Sequence, residues 1–169
     1  MSNARYSAYL FFTLVVISIA LPVFYYSSLP DQIASHFDFN NEADGWMNKE
    51  SFLVLQISVT LLLAAMFFAI SFFLPKFPDS AVNLPNKEFW LTGGRREESM
   101  RTMQNFFYWI GNLTLGFLIV TFQEINSVNL SGGDKISSNI WIYLIIFLVS
   151  ISFVIIKMFL HFNRTDKSI

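Results

Sequence analysis

Apolar residues divide the chain into four long runs, 8–26, 52–74, 106–122 and 140–162, separated by segments rich in charge and turn formers. A helix needs about 17–25 apolar residues to cross a hydrocarbon core ~30 Å thick. In lipid no water satisfies exposed backbone N–H and C=O groups, so each run must be helical. The pattern predicts an all-α polytopic membrane protein with four spans, one domain over residues 1–169. Its two longer connections are 27–51 and 75–105.

The shortest run, 106–122, reads as the membrane half of a longer helix that begins near Arg95. Arg95-Arg96-Glu97-Glu98 enters it without a breaker, and Glu97 stands four residues before Arg101, a pairing distance on a helix. The first run exceeds a signal-peptide core, and Tyr25-Tyr26 follows where small residues would mark cleavage, so it is expected to persist as a span. Ser131-Gly132-Gly133-Asp134 is a turn signal that predicts a helical hairpin from the last two runs. Pro22 either kinks the first span or marks its end. Tyr25, Tyr26, Trp109 and Trp141 lie near run ends, Trp90 lies in a juxtamembrane segment, and all suit a membrane interface.

Charge orients the spans. Of the 11 Lys and Arg, nine (Arg5, Lys76, Lys87, Arg95, Arg96, Arg101, Lys157, Arg164, Lys167) fall on one side of a four-span arrangement and two (Lys49, Lys135) on the other. Basic residues concentrate in short cytoplasmic loops, so both termini are expected in the cytoplasm. The acidic residues of 27–51 then face outward. A net charge of −1 speaks against a nucleic-acid partner, which requires a basic face. With no cysteine, disulfides, thiolate metal sites and cysteine nucleophiles are excluded. No zinc-protease, serine-hydrolase or phosphate-loop motif occurs, and no nucleophile–base pair is evident, so neither catalysis nor a cofactor is expected.

Inside the runs the polar residues include Gln56, Ser58, Thr60, Asn112 and Thr114. These suit interhelical hydrogen bonding; the sharper alternative is a polar transport path centred on Gln56 and Asn112. Gly111 and Gly116, five apart, do not form a small-xxx-small motif.

The densest chemistry lies in 27–51. Pro30 suits the first turn of a helix, and Ile33 and Phe37 are four apart, so a short surface helix over 30–37 is expected. Asp38, Asn40, Glu42 and Asp44 then alternate, which fits a strand with one polar face or a loop around a cation. Against the calcium-loop pattern, Asn40, Glu42, Asp44 and Gly45 fall at positions 1, 3, 5 and 6, but Ser51 occupies the place of the bidentate Glu. A looser divalent-cation site is left as an alternative, and Trp46 is expected to anchor the loop at the interface. His36, two residues before Asp38, is either a hydrogen-bonding residue or a pH-sensitive or metal-binding one.

The segment Leu29-Pro30-Asp31-Gln32-Ile33, with His36-Phe37, Asp44-Gly45-Trp46 and Lys49, resembles the signature of a bacterial membrane domain of unknown function shared with SdpI-like immunity proteins. A second segment, Asn83-Leu84-Pro85-Asn86-Lys87-Glu88-Phe89-Trp90-Leu91, resembles the cytoplasmic motif of short stand-alone members. Two departures stand out: Ala34 replaces the proline before the histidine, and Asn41 replaces a glycine. The chain also ends after four spans, where the longer immunity proteins continue. The resemblance implies a bacterial cytoplasmic (inner) membrane location. By its own residues, Pro85 starts a short helix that places Trp90 at headgroup depth, as a lipid anchor or as a docking surface.

These readings give a non-enzymatic protein acting through its outer loop: an envelope sensor, an immunity-like factor or an accessory subunit. Pro30, His36, Phe37, Asp38, Asp44, Gly45, Trp46 and Lys49 would meet a secreted peptide or a membrane protein, with the bilayer as the constant partner. Asn83, Pro85, Asn86, Lys87 and Trp90 carry the second motif. An oligomeric transporter or channel and a divalent-metal-binding membrane protein are the alternatives.

Overall fold

A computed structural model describes residues 3–165. Four long helices carry the fold: α1 (Asn3–Tyr25), α2 (Lys49–Phe73), α4 (Arg96–Leu130) and α5 (Asn139–Asn163). All four are long and apolar enough to cross a membrane. A hairpin of β1 (Gln32–Phe37) and β2 (Ala43–Asn48) joins α1 to α2, and a one-turn helix α3 (Lys87–Trp90) lies between α2 and α4.

Helix α4 is the axle. At about 1.5 Å per residue it is roughly 52 Å long, well beyond a hydrocarbon core. It packs against α1, α2 and α5, whereas α5 rests chiefly on α4. The expectation that the third run belongs to a longer helix starting near Arg95 is met, and α4 also continues eight residues past Phe122 to Leu130. It ends as the turn signal predicted. Gly132 takes φ +68°, and the N–H of Gly133 bonds Val128 O at 3.0 Å, satisfying a helix-end carbonyl. Pro22 does not stop α1 at once; the α-helix runs to Tyr25 and closes in a 3₁₀ turn, Tyr26–Ser28.

The segment 30–37 is a strand, not the expected surface helix, so the fold is helical with one β-hairpin at one end. Pro30 is exposed and precedes the strand. The spacing of Ile33 and Phe37 misled because the tertiary surroundings decide. Gln32, Ile33 and Ala34 pair with Asn48, Met47 and Trp46, and Ile33 and Ala34 are both buried. Asn48 then turns strand into helix: its side-chain oxygen accepts the N–H of Ser51 at 2.7 Å, capping α2.

Two apolar clusters hold the ends of the bundle. Leu29, Ile33, Phe52, Ile125, Val128 and Ile136 seat the hairpin on α2 and α4. At the opposite end Leu74, Val82, Leu84, Trp90, Met100 and Phe162 pack together. In the middle, Phe11, Ala64, Phe67 and Leu115 bind α1 and α2 to α4.

Candidate functional site

The hairpin is built around its turn. Asp38 N–H bonds Glu42 O at 2.9 Å, and the Asp38 carboxylate accepts from the N–H groups of Glu42 (2.9 Å) and Asn40 (2.8 Å) and from Asn40 Nδ2 (3.1 Å). Those bonds, first the one from Glu42, hold the Asp38 carboxyl below the usual carboxylate range. Asn41 sits at φ +66°, a conformation Asn tolerates, which explains how it stands where a glycine is expected. The alternating carboxylates therefore resolve into a turn and a strand instead of a cation loop: Asp38 serves the turn, Glu42 pairs with Lys135 Nζ at 3.3 Å, and Asp44 meets His36. Among the described residues no three of His, Asp and Glu converge as metal ligands.

The hairpin is stitched to the α4–α5 connection. Ala43 N–H bonds Asp134 O at 2.7 Å, and Ile136 N–H bonds Asn41 O at 2.9 Å. Trp141 Nε1 donates to Asn41 Oδ1 at 3.0 Å, and Asn41 Nδ2 donates to Ser138 Oγ at 3.3 Å. On the other side, Asn129 acts as a third strand for β1. Its Oδ1 accepts Ala34 N–H at 2.8 Å while its Nδ2 donates to Ala34 O at 3.0 Å. Asn41, Asn129 and Trp141 were not singled out as site residues from the sequence. The signal for Asn129 was present in Asn126-x-x-Asn129, two amides on one helix face just before the Ser-Gly-Gly turn.

Between this hairpin and the helices opens a groove of about 480 Å³. Ser35, His36, Asp38 and Asp44 form its polar rim; Phe117 and Thr121 of α4 and Ile140 and Leu144 of α5 form its floor. His36 Nδ1 is bonded to the Asp44 carboxylate, which as an acceptor fixes the proton on Nδ1. Both side chains are exposed, 74% and 49%, so the pair adds little to stability and stays available to a ligand. Gly45 faces His36 across the strands, and a Cβ there would stand 3.0 Å from His36 Cβ. Phe39, 91% exposed, stacks on Trp141 at 6.3 Å beside the groove.

The other residues of the first motif are structural or outward. Phe37 packs against the cluster around Ile33, and Trp46 points away from the core. Lys49 Nζ pairs with Asp31 at 2.9 Å, a hydrogen bond that keeps the Asp31 carboxyl below its ordinary value.

The second motif lies at the far end of the bundle and corrects an expectation. Trp90 is buried, 6% exposed, and is not a lipid-facing anchor. Its Nε1 donates to Phe162 O at 2.7 Å, and Asn86 Nδ2 donates to Phe162 O and Asn163 O at 3.3 and 2.9 Å. Helix ends leave carbonyls without partners; here Asn86 and Trp90 supply donors to the last carbonyls of α5. Asn86 takes φ +50°, Lys87 opens α3, Pro85 is half-buried and Asn83 is exposed. Arg96 fixes the preceding loop, donating to Asp79 Oδ1, Pro75 O and Phe77 O at 2.8, 3.1 and 2.7 Å.

Residues 13–60 match the family described as Domain of unknown function (DUF1648). The match takes in most of α1, the whole hairpin and the first half of α2. No curated protein and no solved structure matches the chain. Gln56 and Asn112, the candidates for a transport path, are both buried, and Asn112 Nδ2 donates to Ser7 O at 3.0 Å.

Proposed function

We propose that this chain is a non-enzymatic, multi-pass protein of a bacterial cytoplasmic membrane, with both termini inside, that captures an amphipathic peptide beneath its outer hairpin. One observation carries the reading: the groove of about 480 Å³ joins an apolar floor on α4 and α5 to the exposed His36–Asp44 pair. Binding sites are mostly apolar with a few placed polar groups. An apolar side chain of the peptide fills the floor, and a basic or amide group meets Asp44 and His36. The orientation is supported by the sequence distribution of basic residues, nine against two in the spans' connections and ends, with Lys167 of the nine lying outside the described residues. The resemblance to SdpI-like immunity proteins, which respond to a secreted toxin, favours a secreted peptide over a membrane subunit as the occupant.

The test is site-specific photocrosslinking in cells, from position 144 in the groove and position 146 on the opposite, exposed side of α5. Peptide adducts are expected from 144 only, and they should disappear when His36 and Asp44 are replaced together by Ala with insertion intact. Adducts indifferent to the double replacement, or absent from 144, sink the proposal.

A further inference from the structure

A second, larger groove lies at the opposite end of the bundle, between α1 and α5 with α4 as its floor. Its volume is about 980 Å³, twice that beneath the hairpin. The helices explain its existence. α1 and α5 both pack on α4, and the 18-residue apolar window of α5 buries none of its residues inside the protein.

The groove changes character along its length. Leu113 and Trp109 of α4 and Val149, Phe153 and Val154 of α5 line one part. Toward the end of α5 the lining becomes Lys157, His161 and Arg164. Positions 157 and 161 are four apart, so they share one face of α5 and continue the stripe of Ser150, Phe153 and Val154, while Arg164, the extended residue just past the helix, lines the same groove. No acidic side chain lines the groove among the described residues. Lys157 reaches back over the Phe153 ring at 5.3 Å, leaving its ammonium at the boundary between the apolar and basic parts.

We infer that this groove holds an anionic phospholipid, with its acyl chains along Val149–Val154 and Trp109 and its phosphate at Lys157 and Arg164. An apolar trough running into a cluster of bases matches the polarity of one lipid molecule. Basic pockets between spans are recognised headgroup sites for anionic lipids. A zwitterionic lipid would fill the trough equally but present its own ammonium to the two cations. The inference stands apart from peptide capture, since the two grooves share no lining residue.

Native mass spectrometry of the full chain, released from micelles doped with equal phosphatidylglycerol and phosphatidylethanolamine, tests it. Retention of phosphatidylglycerol should be favoured by roughly thirtyfold, about fivefold from each basic residue. Lys157→Gln with Arg164→Gln should abolish the preference, while Lys49→Gln with Lys135→Gln, at the hairpin end, should leave it unchanged. Ser150→Trp, which fills the trough, should cut retention of both lipids. Equal retention by the unaltered chain, a preference that survives the loss of Lys157 and Arg164, or undiminished retention of both lipids with Ser150→Trp overturns the inference. So does a dimer that excludes lipid and is dispersed by Ser150→Trp, which would assign the groove to a second copy.

Discussion

Asn129 ties the hairpin to α4 through a single buried side chain. One buried amide satisfies both backbone groups of Ala34 and also donates to Ile125 O at 2.8 Å. Asn129→Leu keeps the volume but strands a buried N–H and a buried C=O. It should cost about 2–4 kcal/mol in reversible unfolding from mixed micelles. Asp38 acts through charge. Its carboxyl is held below the unfolded value of 3.8, so the unfolded turn binds protons more readily. The stabilisation is fully present above that value and is lost as pH falls through the lower, folded one. Amide exchange at Asn40 and Glu42 should accelerate relative to the rest of the hairpin in that window, and Asp38→Asn should remove this pH dependence. The sequence made His36, Asp38 and Asp44 conspicuous because charge is rare in this chain. It marked Asn41 only as a departure from glycine and left Asn129 unremarked, because an amide announces neither its partner nor its burial.

Among the elements, the helices were legible and the hairpin was not. Four apolar runs and a Ser-Gly-Gly turn are local signals, and their lengths exceed what any competing structure accommodates in lipid. The choice between strand and helix for Gln32–Phe37 depends on Asn129, nearly a hundred positions away, and on β2. A local period of four cannot contain that information. Helix packing on α4 turns on one position. A Cβ on Gly111 would lie 2.9 Å from Phe11 Cε2 and 3.1 Å from Phe67 Cγ, both on buried rings, whereas one on Gly116 meets nothing within 4 Å. Gly111→Ala should destabilise by about 1–3 kcal/mol. Gly116→Ala should be neutral or stabilise by up to ~1 kcal/mol through helix propensity. Thermal unfolding of the two variants side by side separates packing from propensity.

In the whole molecule the two sequence motifs, on opposite ends of the bundle, serve the same helix. α5 rests chiefly on α4, yet the hairpin grips its beginning through Asn41 and Trp141, and Asn86 and Trp90 hold its end. Trp90→Phe should therefore speed hydrogen exchange in the last turns of α5 and leave the hairpin unaffected. Which end faces out is open to direct labelling, since the natural chain has no cysteine. A single cysteine at Phe39 should react with an impermeant maleimide added to intact spheroplasts, and one at Thr92 only after lysis; the reverse pattern would invert the proposed orientation. The bond from Trp141 to Asn41 spans 100 residues of chain. During synthesis the hairpin tip thus lacks this donor until α5 has been made. A ribosome stalled before Trp141 would display the groove without its α5 wall, so under the proposed function peptide capture waits on a helix nearly a hundred residues downstream of the hairpin.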